Sequence, residues 1–556
     1  MNKKLNLKWV AESIGEEYKK WKKGDIVTIQ AQTGTGKTYF IKKCLIHHMK
    51  DYEKLLYICN RINLKRQLKK DLLEQFNRPI PYITDEKSEY ILDKNNNKIL
   101  DVLALDKISK IGNVTITSYH SIQKSALNSD YDLGSCHFDY DYIVMDECHY
   151  LLTDGSFNSQ VRIAFDRLIV TRSSSVIKIL ISATMDELEY PIEYMCDMGL
   201  GKKLTPWKYK TGIDYSYVNT KYFTAMKDII TTIHNDKSDE KWLIFVTNLN
   251  DAMQIQEEFG KNNVSIIKAG TTTDELNNII SNSKFNCRIL CATKAMDNGI
   301  NISDTKLTNI VIMSWDKITF IQMLGRKRID IDDAQEINLY ISTRYKKSFK
   351  TKLREYKYKE SVIDLFKNEL NQFNRNYDND LDKLGKMKDL FYRDNKTKEW
   401  GLNIIGHRRL QLDIEAFEEI VLEFDKYGMY AFILKQLEWL ELGDTFDKTK
   451  YLKDVMLNDE VQSLENYLEN MFNKKNVLLR AIDRKELIEK INLIDGSHSN
   501  LKENKINYVK NINTLKSHLQ DTLKSRYQIE EFPHSKTING KTTRYKASWR
   551  VNKIIV

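Results

Sequence analysis

Proline is scarce in this chain, five residues in 556, and none falls between Pro206 and Pro533. So little of the residue that breaks helices argues against a polyproline or low-complexity scaffold. Cysteine is sparse too: seven residues form no Cys-x-x-Cys pair, which argues against a disulfide framework or a zinc ribbon. Cys287 and Cys291 flank the strand-like Arg288-Ile-Leu290, where reduced packing thiols are expected rather than metal ligands. No run approaches the roughly 18 apolar residues that span a bilayer. The basic start Met1-Asn-Lys-Lys has no apolar segment behind it. Neither a signal peptide nor a membrane partner is therefore expected, and the cytoplasm is the expected compartment. Neither sign of charge dominates: 87 Lys and Arg against 77 Asp and Glu leave a net charge of +10. That mild excess suits a polyanionic partner without demanding one.

What is present is organised around Ala31-Gln-Thr33-Gly34-Thr35-Gly36-Lys37-Thr38. An apolar run, Ile26-Val-Thr-Ile29, precedes it, and Tyr39 to Ile46 carry apolar residues at helical spacing. Strand, glycine-rich turn and helix start make a phosphate cradle of inward-pointing N–H groups. Gly34 and Gly36 let the main chain approach phosphates, Lys37 reaches the β and γ oxygens, and Thr38 holds Mg²⁺. Thr33 and Thr35 complete the expected nucleotide contacts. A second apolar run, Leu55 to Cys59, leads into Asn60, Arg61 and Gln67, placed to face a nucleic-acid backbone or to begin a solvated basic helix. A third, Val114 to Ser121, carries Thr117 and ends in small hydroxyls suited to phosphate oxygens. A fourth, Tyr142-Ile-Val-Met145, delivers Asp146 and Glu147 at a strand end. Paired acids there suit one carboxylate holding Mg²⁺ (Asp146) and its neighbour activating water (Glu147). A fifth, Ile177 to Ile181, ends in Ser182-Ala-Thr184.

The order Ala-x-Thr-Gly-x-Gly-Lys-Thr, Asp-Glu-Cys-His at 146–149 and Ser-Ala-Thr at 182–184 resembles the superfamily two helicases of the DEAD/DEAH-box type. Ala31 replaces the usual first glycine of the loop. The resemblance implies that Ser182 and Thr184 couple the ATP state to the nucleic-acid site. It extends to Thr293-Lys-Ala-Met-Asp297-Asn-Gly299, similar to the fifth motif. There Thr293 contacts nucleic-acid backbone, and Asp297 and Gly299 lie near the nucleotide. It ends with Gln322-Met-Leu-Gly325-Arg326-Lys-Arg328, similar to the sixth, whose arginines reach across the domain cleft to the γ-phosphate. The family's last arginine falls here at Ile329, and Arg328 stands one residue earlier, so the choice of finger between Arg326 and Arg328 stays open.

The expected architecture is α/β. Two tandem RecA-like domains with parallel sheets flanked by helices span 1–205 and 206–345, a helical domain spans 346–480, and a winged-helix-like domain spans 481–556. The tail reading rests on a basic helix near 513–526, open on the side of Lys516. It rests also on a further helix expected near 503–511 and on Asn539-Gly540 between two strand-like runs, the strongest short hairpin signal. A winged helix implies backbone contacts from Arg544, Lys546 and Arg550. The expected function is an ATP- and Mg²⁺-dependent helicase or translocase of bacterial, phage or mobile-element origin, with DNA favoured over RNA. An RNA helicase and a nucleotide-switched loader with little unwinding are the alternatives, and a protein partner for 346–480 stays open.

Overall fold

The structure, a computed structural model, describes all residues except Met1, Arg61, 86–88, 93–97, 129–138, 154, 156–157, 171–174, 190–206, 269–273, 294–300, 378–380, 388, 395–396, 496–510, 539–540 and 555–556. Packing divides the chain into two units, Met1–Phe446 and Asp447–Val556.

The first unit opens on a seven-stranded sheet. Its strands are β1 (Ile26–Gln30), β2 (Leu55–Ile58), β3 (Lys110–Ile111), β4 (Val114–Thr117), β5 (Tyr142–Asp146), β6 (Ile177–Ser182) and β7 (Trp207–Lys210). Their order is β3-β4-β2-β5-β6-β1-β7, and only β3 runs antiparallel to its neighbour. The residues of β1, β2, β5 and β6 are buried throughout, because helices cover both faces. That is why these strands read in sequence as unbroken apolar runs. Parallel pairing brings every strand's C-terminal end to one edge, where open α/β sheets bind ligands.

A second sheet holds β8 (Val218–Phe223), β9 (Lys241–Phe245), β10 (Val264–Ile267), β11 (Ile289–Ala292), β12 (Leu307–Ile312) and β13 (Ile337–Ser342), all parallel, in the order β10-β11-β9-β12-β13-β8. The unit is thus two parallel-sheet α/β layers in tandem. Trp207–Lys210, expected to begin the second of them, instead pairs with β1 as the last strand of the first sheet. Its Trp207 donates to Asp25 at 2.9 Å, so the first α/β layer runs beyond residue 205.

Helices Lys346–Asn368, Leu370–Tyr377, Ile404–Tyr427 and Ala431–Trp439 follow, with a short hairpin of β14 (Phe391–Arg393) and β15 (Trp400–Leu402). This region braces both sheets. Ile405 joins the core of the first α/β layer, while Gln436 donates to the Ser342 carbonyl at the end of β13, at 2.9 Å. The fully buried Asn403 sits at the joint. Its carbonyl oxygen caps the Ile404–Tyr427 helix by accepting from Gly406 N–H at 3.2 Å. Its amide donates to the Asp389 carbonyl at 2.9 Å and to Gly155 at 3.4 Å.

The second unit takes in a helix expected to belong with the preceding helical region. Leu464, Leu468 and Met471 of Leu452–Asn473 share one apolar cluster with Leu487, Leu515, Leu519, Tyr527 and Trp549. A boundary near 480 would split that cluster, so the break falls at 446/447 instead. The unit contains helices Lys485–Asp495 and Ile512–Ser517, the latter continued by a wider turn over His518–Thr522. A long hairpin follows, β17 (Tyr527–Ile538) with β18 (Lys541–Lys553), to which β16 (Val477–Leu478) adds a third strand. Ile538 pairs with Lys541. The Asn539-Gly540 turn itself, and the helix expected near 503–511 up to residue 510, lie outside the described residues.

Replacing Asn403 by Ala should cost about 1–2 kcal/mol, the value of a cap together with buried partners left unsatisfied. Urea unfolding followed by circular dichroism measures this. An unchanged midpoint would show that the joint does not depend on the side chain.

Candidate active site

The chain leaves β1 into 31–36 and turns into helix at Lys37. Gly34 and Gly36 have φ of 97° and 82°, a left-handed backbone that glycine adopts at no steric cost. Thr35 is fully buried and closes the loop from within, its hydroxyl donating to the Gln32 carbonyl at 2.7 Å. Trp9 packs against Gly36 so closely that a Cβ there would lie 3.0 Å from the indole, and Val10 N–H donates to the Thr35 carbonyl at 2.9 Å. The N-terminal segment therefore holds the loop from outside. Lys37 Nζ donates to the Ala31 carbonyl at 3.3 Å and lies 3.6 Å from Glu147 Oε1.

β5 lies two strands from β1 and carries the acids into the same edge. Asp146 and Glu147 are both buried, and bare carboxylates there would be costly, so each is compensated. Tyr57, on the neighbouring β2, donates its hydroxyl to Asp146 Oδ2 at 2.7 Å, and Glu147 N–H donates to Oδ1 at 3.0 Å. Tyr119 donates to the Asp146 carbonyl at 3.1 Å. Burial, together with the Asp146 charge, pushes the Tyr57 phenol well above its ordinary range, and burial does the same for Tyr119. Both tyrosines are thus proton-bearing donors. Glu147 has φ of 50°, a conformation that costs a residue with a side chain of order 1 kcal/mol or more. Its Oε2 lies 3.2 Å from His149 Nδ1, and the same nitrogen lies 3.1 Å from Ser182 Oγ. Ser182 and Thr184 hydroxyls are 3.3 Å apart. A polar chain thus runs from Glu147 through His149 to Ser182 and Thr184.

The second sheet closes the site from the opposite side. A Cβ on Gly34 would lie 3.1 Å from the Ile329 carbonyl, and one on Gly325 would lie 2.6 Å from Thr33 Oγ1. Gln322 Nε2 reaches 3.5 Å from Glu147 Oε2. Arg326, 1% exposed, clasps Gln322, donating from Nε to its carbonyl at 3.0 Å and from a terminal nitrogen to its Oε1 at 3.1 Å. Lys327 turns the other way and donates to the Asp304 carbonyl at 2.6 Å. Burial lowers its pKa to about 8. Arg328 is half-buried, its N–H donating to the Ile302 carbonyl at 2.8 Å. Lys37, Asp146, Glu147, Gln322 and Arg326, read from separate stretches, are thereby brought into one cleft with Thr33 to Thr38.

The expected nucleic-acid residues are more dispersed. Asn60 accepts from Tyr119 N–H at 3.0 Å, Gln67 is exposed and Thr117 is half-buried at the end of β4. Thr293 follows β11, its N–H donating to the Ile267 carbonyl at 3.1 Å. Arg61, Asp297 and Gly299 lie outside the described residues. In the second unit, Lys516 is half-buried and Arg544 and Lys546 are exposed, whereas Arg550 pairs with Glu530 at 2.7 Å and lies over the Phe532 ring. Three contributors carried no expected role: Tyr57, Tyr119 and His149. His149 stood in the Asp-Glu-Cys-His run, but the tyrosines read only as residues of strand-like runs, and the structure instead starts a helix at Tyr119.

The metal and nucleotide roles fit this donor set. A glycine loop with inward N–H groups suits phosphate, and the carboxylate of Asp146, oriented by Tyr57 and the Glu147 N–H, together with the Thr38 hydroxyl supplies hard oxygen ligands for Mg²⁺.

Residues 6–187 match the family model described as Type III restriction enzyme, res subunit, and residues 222–329 match that of the helicase conserved C-terminal domain. Among solved structures, S. cerevisiae Dbp5 bound to RNA and ADP BeF3 is similar at 16% identity over 59% of this chain and 81% of that one, with a TM-score of 0.40. The DUF1998 helicase MrfA bound to DNA is similar at 14% identity over 73% and 61%, with a TM-score of 0.41. A DEAD box protein from Methanococcus jannaschii gives 16% identity over 60% and 84%, with a TM-score of 0.32. No curated protein matches the chain.

Replacing Tyr57 by Phe removes a hydrogen bond to a buried charged group and should cost about 1.5–3 kcal/mol of stability. Urea unfolding of the variant beside the parent tests this, and equal midpoints would mean that Asp146 is held without the phenol.

Proposed function

Because the chain is a superfamily two helicase, an ATP-hydrolysing enzyme acting on nucleic acid, we propose that it is a DNA helicase or translocase whose two α/β layers open and close on ATP. The observation that carries this reading is the meeting of Lys37 and Glu147 from the first layer with Gln322 and Arg326 from the second. Phosphoryl transfer asks mainly for positioning and charge neutralisation, and this cleft offers both. Lys37 exchanges its bond to the Ala31 carbonyl for the β/γ oxygens. Thr38 and Asp146 would hold Mg²⁺, which would supply neutralisation of phosphate charge. Glu147 accepts a proton from, or orients, the attacking water. Arg326 fixes Gln322, and Arg326 or Arg328 supplies positive charge from across the cleft. Asp297 and Gly299 are assigned to the nucleotide by the family motif.

Coupling is assigned to the chain Glu147–His149–Ser182–Thr184, since its far end follows β6 at the same sheet edge as Thr117. Nucleic-acid backbone is assigned to Asn60, Arg61, Gln67 and Thr117 of the first layer and to Thr293, which follows β11, of the second. Phosphate contacts of this kind are independent of sequence and sensitive to salt. DNA is favoured over RNA by a winged-helix reading of the second unit, supported by exposed Arg544 and Lys546 on one strand of its hairpin and by the helix of Lys516. A bacterial, phage or mobile-element source is proposed from the composition.

Two variants and one comparison test the reading. Lys37→Ala should abolish binding of a fluorescent ATP analogue, while Glu147→Gln should bind it and hydrolyse ATP about 10²–10⁴-fold more slowly. Parental turnover by Glu147→Gln would remove Glu147 from the role of base. ATPase rates with single-stranded DNA, duplex DNA and RNA, at low and high salt, decide the polymer. DNA stimulation lost at high salt is expected. Stimulation by RNA alone would make it an RNA enzyme, and a flat low rate would favour the nucleotide-switched loader.

A further inference from the structure

We infer that the outer face of the helix Lys346–Asn368 is a second binding surface for the nucleic-acid backbone, one that continues the path from the second sheet. The inference rests on the proposed nucleic-acid path across the strand ends, and concerns a part of the chain to which no family motif extends.

The helix leaves the sheet at the ligand-bearing edge. β13 ends at Ser342, and Arg344 then lies 4.0 Å over the Trp315 ring, just beyond β12, while donating to Thr247 Oγ1, just beyond β9, at 3.5 Å. β9 is the direct neighbour of β11, which leads to Thr293. The first turn of the helix thus starts beside the strand ends assigned to backbone contact.

From there its cations sort by face. Lys346 pairs with Asp425, Lys357 pairs with Glu418, and Lys352 lies over Trp315 and Tyr356. These brace the helix against its neighbours. Lys347, Lys350 and Arg354 are exposed, and none has an ion-pair partner among the described residues. Lys350 does lie within the field of Asp425, which Lys346 already engages. Positions i, i+3 and i+7 share one face of a helix, so the three cations form a stripe roughly 10 Å long at 1.5 Å of rise per residue. Exposed Tyr345 and Tyr358, 65% and 60% accessible, stand at its two ends, and such rings offer flat surfaces for bases. Three exposed cations flanked by aromatic faces complement a single-stranded polyanion, whose phosphates repeat where a protein carboxylate cluster would have to be arranged to match.

The test is the salt dependence of binding to a fluorescent single-stranded DNA of mixed sequence, measured by anisotropy on the full chain. Lys347→Gln, Lys350→Gln and Arg354→Gln are combined, since glutamine preserves helix propensity. Three lost phosphate contacts at about 0.7 each lower the slope of log Kd against log salt by about 2. A control removes the same charge at the opposite edge of the second sheet: Lys237→Gln, Lys261→Gln and Lys284→Gln, exposed residues that precede β9, β10 and β11. It should keep the parental slope. Basal ATPase without DNA should match the parent in both, which also reports intact folding. Equal slopes in the two variants would overturn the inference, leave the proposed motor intact and turn the stripe over to an acidic protein surface. A parent chain that binds no nucleic acid would overturn both.

Discussion

The structure depends on two glycine backbones that let two α/β layers touch. At Gly34 the phosphate loop comes against the Ile329 carbonyl, and at Gly325 the sixth motif comes against Thr33. A methyl group would meet the Ile329 carbonyl at 3.1 Å or the Thr33 hydroxyl at 2.6 Å, so hydrogen at both places lets the layers approach without displacing either neighbour. That approach brings Gln322 to Glu147. A reaction that needs charge neutralised on opposite sides of a phosphate gains from such a divided site. Its parts can be assembled by closure and separated by opening.

Closure is also an electrostatic matter. Two adjacent carboxylates at the end of a buried strand would repel each other and resist desolvation. Lys37, His149, Gln322 and the Tyr57 hydroxyl share that load. The same bonds that make the pair tolerable also make it directional. Asp146 is held by the Tyr57 hydroxyl and the Glu147 N–H, whereas the Glu147 side chain faces Lys37 and His149 of its own layer and Gln322 of the other. The helical region adds mechanical continuity, since its core residues pack on the first layer through Ile405 and hold the end of β13 through Gln436.

Much of this was legible in sequence because it is local. A buried parallel strand must read as an apolar run, and the loop or acids that follow it sit at fixed offsets, so Lys37, Asp146, Glu147 and Ser182 announce their places. What was not legible depends on long-range packing. Trp207–Lys210 looks like any short strand, and only its pairing with β1 assigns it to the first sheet. Leu464 and Leu468 have the helical spacing of a bundle, yet nothing in that spacing says that their partners are Leu515 and Trp549. Tyr57 is one more buried residue of an apolar strand until the fold sets its hydroxyl against Asp146. Asn60, read as a candidate for phosphate contact, also accepts from the Tyr119 N–H, a link that no sequence offset announces.

In the proposed motor, hydrolysis is performed by both layers together. Single-turnover ATP hydrolysis by Arg326→Ala and Arg328→Ala, with ATP-analogue binding measured on the same samples, tests it most directly. The account predicts binding within a few-fold of the parent and a rate lowered by about 10³ in the variant that has lost the finger. Parental hydrolysis in both variants would contradict it and leave the first layer to carry the chemistry alone.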